Sequence, residues 1–226
     1  VTHILDNPIW NALHTSNHYL YNGNATAVYM KRDVGFFAGL KNNTVENLHS
    51  LYELLREKSL AVLFTPEPLP VIDSWTIKMD KPLLQLLYQG HSISAASTHT
   101  ITPLNDSHIP EMLALTKLTN PGPFLSRSID FGNYFGVIEN GKLIAMTGQR
   151  LRPDPYTEVS AVCTHPDHLG KGYARTLVIN QINYILNAGR LPFLHVFPDN
   201  TGALRLYEKL GFAVRKTMRV TVLERE

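Results

Sequence analysis

Between Glu158 and Ala174 the chain reads Glu-Val-Ser-Ala-Val-Cys-Thr-His-Pro-Asp-His-Leu-Gly-Lys-Gly-Tyr-Ala. The small and β-branched residues predict a buried strand, which Pro166 ends. A loop with Gly170 and Gly172 follows, and Ala174, Leu177, Val178, Ile182 and Ile185 then recur at helical spacing. Strand, glycine loop and helix in that order suit a phosphate. The first helical turn offers N–H groups without intrahelical partners at the positive end of the helix dipole, and glycine lets the backbone approach closely.

A second constellation lies about thirty residues on, Asn200-Thr-Gly-Ala203-Leu-Arg-Leu-Tyr207-Glu-Lys-Leu-Gly211-Phe212. Asn200 is a candidate N-cap, Ala203, Leu206, Tyr207 and Leu210 fall on one side of a short helix, and Gly211 suits the residue after it. Leu191 to Phe197 between them reads as another apolar strand. The order strand, phosphate-type loop, helix, strand, polar cap and tyrosine-bearing helix suggests chemistry on a phosphate-containing molecule.

These two motifs resemble the Gcn5-related N-acetyltransferase (GNAT) superfamily, in its branch with an FR47-like C-terminal half. The family loop Gln/Arg-x-x-Gly-x-Gly/Ala corresponds to Leu169-Gly170-Lys171-Gly172-Tyr173-Ala174, with Leu169 replacing the usual first residue. The later signature, Asn-x-x-Ala-x-x-x-Tyr followed by Gly-Phe, is matched at Asn200, Ala203, Tyr207, Gly211 and Phe212. The resemblance is close over the last third of the chain and extends more weakly back to about residue 98. It implies an acyl-CoA N-acyltransferase fold, an α/β (mixed α+β) sheet with helices on both faces. It also implies two central parallel strands that splay around the pantetheine arm of acetyl-CoA.

The resemblance further implies that Val162, Cys163 and Thr164 face the pantetheine and acetyl group. Leu169, Gly170, Lys171, Gly172, Tyr173, Ala174 and Arg175 would cradle the pyrophosphate, and Asn200 would bond the pantetheine amides. Lys171 and Arg175 could equally be solvated, and Asn200 could only cap its helix. The expected reaction moves acetyl from acetyl-CoA to a primary amine (a small amine, an amino acid or a peptide N-terminus) by direct attack. That needs a neutral amine, a polarised carbonyl and a proton for the leaving thiolate. Tyr207 stands where the superfamily carries the acid, although a tyrosine on an amphipathic helix is also an ordinary core residue. Glu158 and His195 are the two candidate bases, against which stand a surface ion pair for the first and a satisfied core histidine for the second. Cys163 reads as a small buried strand thiol rather than a nucleophile. The spacing of His165 and His168 is poor support for a metal, and none is expected.

Other function classes fit less well. A non-catalytic acyl-CoA sensor on the same fold is the alternative, with Leu169 as its hint and Asn200 and Tyr207 against it. A P-loop protein is disfavoured because the loop lacks a Gly-Lys-Ser/Thr ending. With 21 basic and 19 acidic residues and no basic block, nucleic acid or an anionic membrane is not the expected partner. One cysteine excludes an intrachain disulfide. The opening Val-Thr-His-Ile-Leu-Asp-Asn-Pro lacks signal-peptide features, and cytoplasmic residence is the expectation. A homodimer is left open.

Two domains are expected, 1–95 as a smaller mixed α/β unit, either a degenerate GNAT-like half or a scaffold, and 96–226 as the acetyltransferase unit. The low-complexity stretch Gly90 to Thr98 separates them. In the first, strands are predicted at Ala25–Met30, Val34–Leu40, Ser59–Thr65 and Trp75–Met79. A helix is predicted from an Asn43/Glu46 capping box, and another over Lys81–Tyr88. In the second, a strand at Thr98–Pro103 and a helix at Asp106–Leu118 precede a hairpin, Tyr134–Ile138 and Leu143–Arg150, turning at Asn140-Gly141. Thr157–Cys163, Pro192–Phe197, and segments near Ala213 and Met218–Leu223 complete the sheet. The Asn120-Pro-Gly-Pro-Phe124 loop, followed by Arg127 and Asp130, is the candidate substrate side.

Overall fold

Two amphipathic helices and a run of apolar strands in the second half of the chain bury their faces on one another, and the first half supplies further strands to the same sheet. The computed structural model describes residues 3–70, 73–94 and 99–226. Its strands are β1 (Tyr21–Gly23), β2 (Ala27–Met30), β3 (Ala38–Leu40), β4 (Leu60–Thr65), β5 (Trp75–Tyr88), β6 (Thr102–Pro103), β7 (Phe135–Glu139), β8 (Lys142–Gln149), β9 (Tyr156–Thr164), β10 (Leu191–Val196) and β11 (Phe212–Arg225). The helices are α1 (Pro8–His14), α2 (Val45–Leu54), α3 (Ile109–Thr119), α4 (Tyr173–Asn187) and α5 (Thr201–Lys209).

Strands β1, β2 and β3 form a small antiparallel sheet, and the other eight run in the order β4-β11-β5-β10-β9-β8-β7-β6. The mixed α/β architecture is as expected. Strands β4 and β5, from before residue 95, pair with β11 and β10, from after it. The expected domain boundary itself touches residues 95–98, outside the described residues.

Adjacent residues of β10 show why both faces of the sheet must be covered. Phe193 joins a core with Leu5, Ile9, Phe64, Met112 and Cys163, whereas Leu194 joins another with Val178, Ile182, Tyr207 and Phe212. Successive strand side chains point to opposite faces. The first face is therefore covered by α3 and the N-terminal segment, the second by α4 and α5.

Local chemistry explains most boundaries. Asn140 and Gly141, at φ 51° and 73°, make the tight turn between β7 and β8. Helix α2 is capped by Thr44, which accepts from the Asn47 N–H at 3.3 Å, so the cap falls one residue after the expected Asn43. The strand expected over Val34–Leu40 is regular only at Ala38–Leu40, where it pairs with β2.

One expectation is overturned: Lys81–Tyr88 is not a helix but the second half of the 14-residue strand β5. Its Leu83-Leu84-x-Leu86-Leu87 spacing imitates a helical stripe. Strand β5 lies between β11 and β10, however, and both of its faces are packed, Leu83 and Leu87 in one core and Leu84 and Leu86 in the other, so its apolar residues need not alternate. Pro82 precedes the stretch paired to β10, where only one side of β5 is hydrogen-bonded, a position that tolerates proline. Likewise the two closing segments are one strand, β11, with a register shift between Val214 and Lys216.

Candidate active site

Strands β9 and β10 are parallel, and their pairing is confined to Tyr156, Thr157 and Glu158 against Leu191, Pro192 and Phe193. Beyond Glu158 they part. Strand β9 stays on β8 but carries a bulge, with a register shift between Met146 and Gly148 and Ala161 at φ 51°. After the bulge, the His165 N–H donates to Ile144 O at 2.7 Å. Backbone direction alternates along a strand, so Cys163 also turns its main chain to β8, while Val162 and Thr164 turn theirs into the gap. Two of the three expected residues, Val162 and Thr164, thus line the opening by backbone, and Cys163 does not. The Cys163 side chain is buried in the α3-side core, and burial pushes its thiol up to about 11, which keeps it protonated and unreactive at neutral pH.

The loop at the open end of β9 has the shape its glycines predicted. Gly170 and Gly172 have φ of 77° and 84°, and an added Cβ would meet nothing within 4 Å at either. Backbone conformation, not crowding, therefore requires glycine there. Gly172 begins α4, whose first intrahelical bond runs from Thr176 N–H to Gly172 O at 3.0 Å. The N–H groups of Tyr173, Ala174 and Arg175 precede that bond and are open to an anion. Lys171 and Arg175 are exposed, and Leu169 is 65% exposed, an apolar side chain where the family loop has a polar one. The Tyr173 side chain turns inward instead, its hydroxyl donating to Glu139.

Helix α5 brings Tyr207 to the second face. The ring is 7% exposed, packed in the core that holds Val159 and Val196, with Val162 against it. Its hydroxyl has no hydrogen-bond partner among the described residues. Burial lifts the phenol to about 12, so it carries its proton at neutral pH. Asn200 caps α5, its Oδ1 accepting from the Ala203 N–H at 3.2 Å.

Both candidate bases lie in one buried polar chain on the other face. The Glu158 carboxylate, 0% exposed, accepts from Arg150 Nε at 2.8 Å and Nη2 at 2.6 Å, from Leu151 N–H at 3.2 Å, and from His195 Nδ1 at 2.6 Å. Burial pushes this carboxyl up, but the charge and hydrogen bonds of Arg150, with His195, outweigh it and hold it at about 2. The His195 side chain is 1% exposed, and burial lowers its pKa more than Glu158 restores it. Because the carboxylate only accepts, Nδ1 carries the proton, and Nε2 accepts from Gln85 Nε2 at 3.0 Å. Gln85 Nε2 also donates to Leu5 O at 2.9 Å, and Arg215 joins Gln85 to Asp6. Neither Glu158 nor His195 retains a free lone pair facing open space.

Beside the bulge, a shallow open pocket is bounded by the 121–124 loop and by Ser128, Phe131, Tyr134, Arg150, Ser160 and Ala161. The charges of Arg127 and Asp130 are spent on each other, and Arg127 also reaches Asp106 at 3.3 Å. Arg150, Tyr134 and Ser160 are the site residues that sequence reasoning passed over. The available signal was Arg150 ending an apolar strand eight residues before Glu158, opposite charges placed to face each other across β8 and β9. No grouping of His, Cys, Asp and Glu able to hold a metal ion occurs among the described residues, and no helix there is long and apolar enough to cross a membrane.

Comparison with known proteins points to one family. The FR47-like protein family model matches residues 134–220, from the start of the β7–β8 hairpin to β11. A mycothiol acetyltransferase from Thermomonospora curvata is 39% identical over 75 residues, 32% of this chain and 25% of that protein. A spermidine N(1)-acetyltransferase from Vibrio cholerae is 46% identical over 50 residues, 21% of this chain and 28% of that protein. This chain therefore spans only about a quarter of the length of these relatives. A GCN5-related N-acetyltransferase from Kribbella flavida shares the fold, with TM-score 0.65 at 17% identity over 97% of this chain and 96% of that one. A GNAT-family protein from Novosphingobium aromaticivorans superposes over 100% of both chains at TM-score 0.93 and 33% identity. With that relative 33% identical and covered from end to end, this chain belongs to the Gcn5-related N-acetyltransferase (GNAT) family.

Proposed function

We propose that the protein is an N-acetyltransferase that moves the acetyl group of acetyl-CoA to a primary amine by direct attack in a ternary complex. The observation that carries this reading is the parting of β9 and β10 after Glu158, directly before the phosphate-type loop. The opening suits an extended arm that bonds the free backbone of Val162 and Thr164. The first turn of α4, with Gly170 and Gly172, suits the pyrophosphate, Lys171 and Arg175 add positive charge, and Asn200 lies at the mouth of α5.

In this reading the amine nitrogen attacks the thioester carbonyl carbon and the C–S bond breaks. Backbone N–H groups beyond the bulge polarise the carbonyl oxygen. The Tyr207 phenol, protonated and without a partner, supplies the proton that the leaving thiolate needs. Glu158 and His195 serve here as positioning residues, which hold the Arg150 guanidinium, rather than as the base. The pocket itself favours a neutral amine, because apolar walls and a neighbouring guanidinium both lower the pKa of an ammonium group. The amine proton then leaves through water.

Thiol release from acetyl-CoA in the presence of a panel of primary amines tests the proposal. Tyr207→Phe is expected to lower kcat by roughly 10- to 100-fold with little change in KM for acetyl-CoA. Unchanged turnover would remove Tyr207 as the acid. Leu169 in the loop favours a second reading, an acyl-CoA sensor without turnover, in which acetyl-CoA binds but no amine releases thiol.

A further inference from the structure

The pocket beside the bulge has a chemical bias that narrows the acceptor. Three polar side chains on its wall have capacity to spare: Arg150, Tyr134 and Ser160. Arg150 uses Nε and Nη2 on Glu158, and its guanidinium lies 4.9 Å and 5.5 Å from the ring centroids of Phe37 and Phe64. Salt bridge and ring faces fix the fork in place, and Nη1 bonds to no described residue. The Tyr134 and Ser160 hydroxyls likewise bond to no described residue, and Tyr134 is 4% exposed. Burial raises the Tyr134 phenol well above its ordinary value, so it is a standing donor. No carboxylate lines the pocket; Ser128 also borders it, its hydroxyl already bonded to Val34 O and the Leu125 N–H, and Phe124 and Phe131 make its apolar wall.

One guanidinium corner and two hydroxyls with no opposing acid make a receptor for a carboxylate, not for a second ammonium. Arg150 and Glu158 form a neutral pair, so the pocket presents donors and no free carboxylate to take up the second ammonium of a polyamine. Distance sets the length of the acceptor. Ser160 pairs with Gly148, two residues before Arg150, so the bulge and the root of the arginine are separated by about 7 Å along the strand. A carboxylate held by Arg150 must then lie close to the reacting amine.

We infer that the acceptor is an apolar α-amino acid whose carboxylate is bound by Arg150, with Tyr134 and Ser160 as further donors and Phe124 and Phe131 against its side chain. This rests on the acetyl-transfer reading above.

Initial rates of thiol release are compared for leucine, methionine and phenylalanine, for the amines formed by their decarboxylation, and for spermidine. The expected result is a kcat/KM for at least one amino acid more than tenfold above that of its decarboxylated amine and above that of spermidine. Arg150→Lys, Tyr134→Phe and Ser160→Ala each narrow that preference; the last two leave the Arg150–Glu158 pair intact, so a general loss of fold does not explain their effect. Equal rates for acid and amine, or a preference for spermidine, overturn the inference and leave acetyl transfer standing. Release with none of these acceptors by a protein that binds acetyl-CoA also overturns it. Failure to bind acetyl-CoA at all overturns both readings.

Discussion

Glu158→Gln is the substitution whose consequence the structure fixes most closely. The carboxylate accepts from two Arg150 nitrogens, His195 Nδ1 and the Leu151 N–H, all at 3.2 Å or less and out of contact with solvent. An amide of the same shape has one acceptor oxygen, and it turns an N–H₂ toward groups that are themselves donors. It also leaves the Arg150 guanidinium buried without a counter-charge, and breaking such a pair from one side costs about 3–5 kcal/mol. The carboxyl is held at about 2, below its ordinary 4.5, which corresponds to roughly 3 kcal/mol of stability at pH 7. Because the folded value is the lower one, this contribution is complete above pH 4.5 and fades as pH falls toward 2, leaving roughly 1 kcal/mol at pH 3. Urea unfolding of both proteins at pH 7 and pH 3 reads it directly. The E158Q protein should be less stable by about 3–5 kcal/mol at pH 7, and the gap should narrow by about 2 kcal/mol at pH 3. A gap under about 1 kcal/mol at pH 7, or one that does not change with pH, would refute the ionised, paired carboxylate.

The same reasoning extends to the cleft. The Tyr207 phenol is held up at about 12, so kcat should show no loss of an acid between pH 7 and pH 10, which a pH–rate profile checks. Gly172→Ala places a side chain at φ 84°, which should cost roughly 1 kcal/mol in thermal or urea unfolding and weaken acetyl-CoA binding. Leu169→Arg restores a cation at an exposed loop position; calorimetry should find acetyl-CoA bound about two- to fivefold tighter at low salt, an advantage that shrinks at high salt.

Where function rests on local chemistry, the sequence was legible. Asn140-Gly141 gave the hairpin turn, Asn200 the cap of α5, and Gly170 and Gly172 the left-handed loop, because each requirement is met within a few residues. Where it rests on partners distant in the chain, it was not. Lys81–Tyr88 carries a helix-like stripe and becomes a strand only because β11 and β10 flank it, one of them more than 120 residues away. The bulge at Ala161 has no sequence mark of its own, since alanine rarely takes a positive φ. Glu158 and His195 were legible as ionisable residues beside the cleft, but their engagement with Arg150 and Gln85 depends on strands that meet only in the folded sheet. The pocket lining was hidden for the same reason: Tyr134, Arg150 and Ser160 come from three different segments.

The central claim is that the parted strands and the glycine loop form a binding cleft for acetyl-CoA. Calorimetric titration of the purified protein with acetyl-CoA, with desulfo-CoA and ATP as controls, tests it most directly. Saturable one-to-one binding of both CoA compounds, with ATP binding much more weakly, is the predicted result. A folded protein that binds neither CoA compound, or that binds ATP equally well, would contradict it.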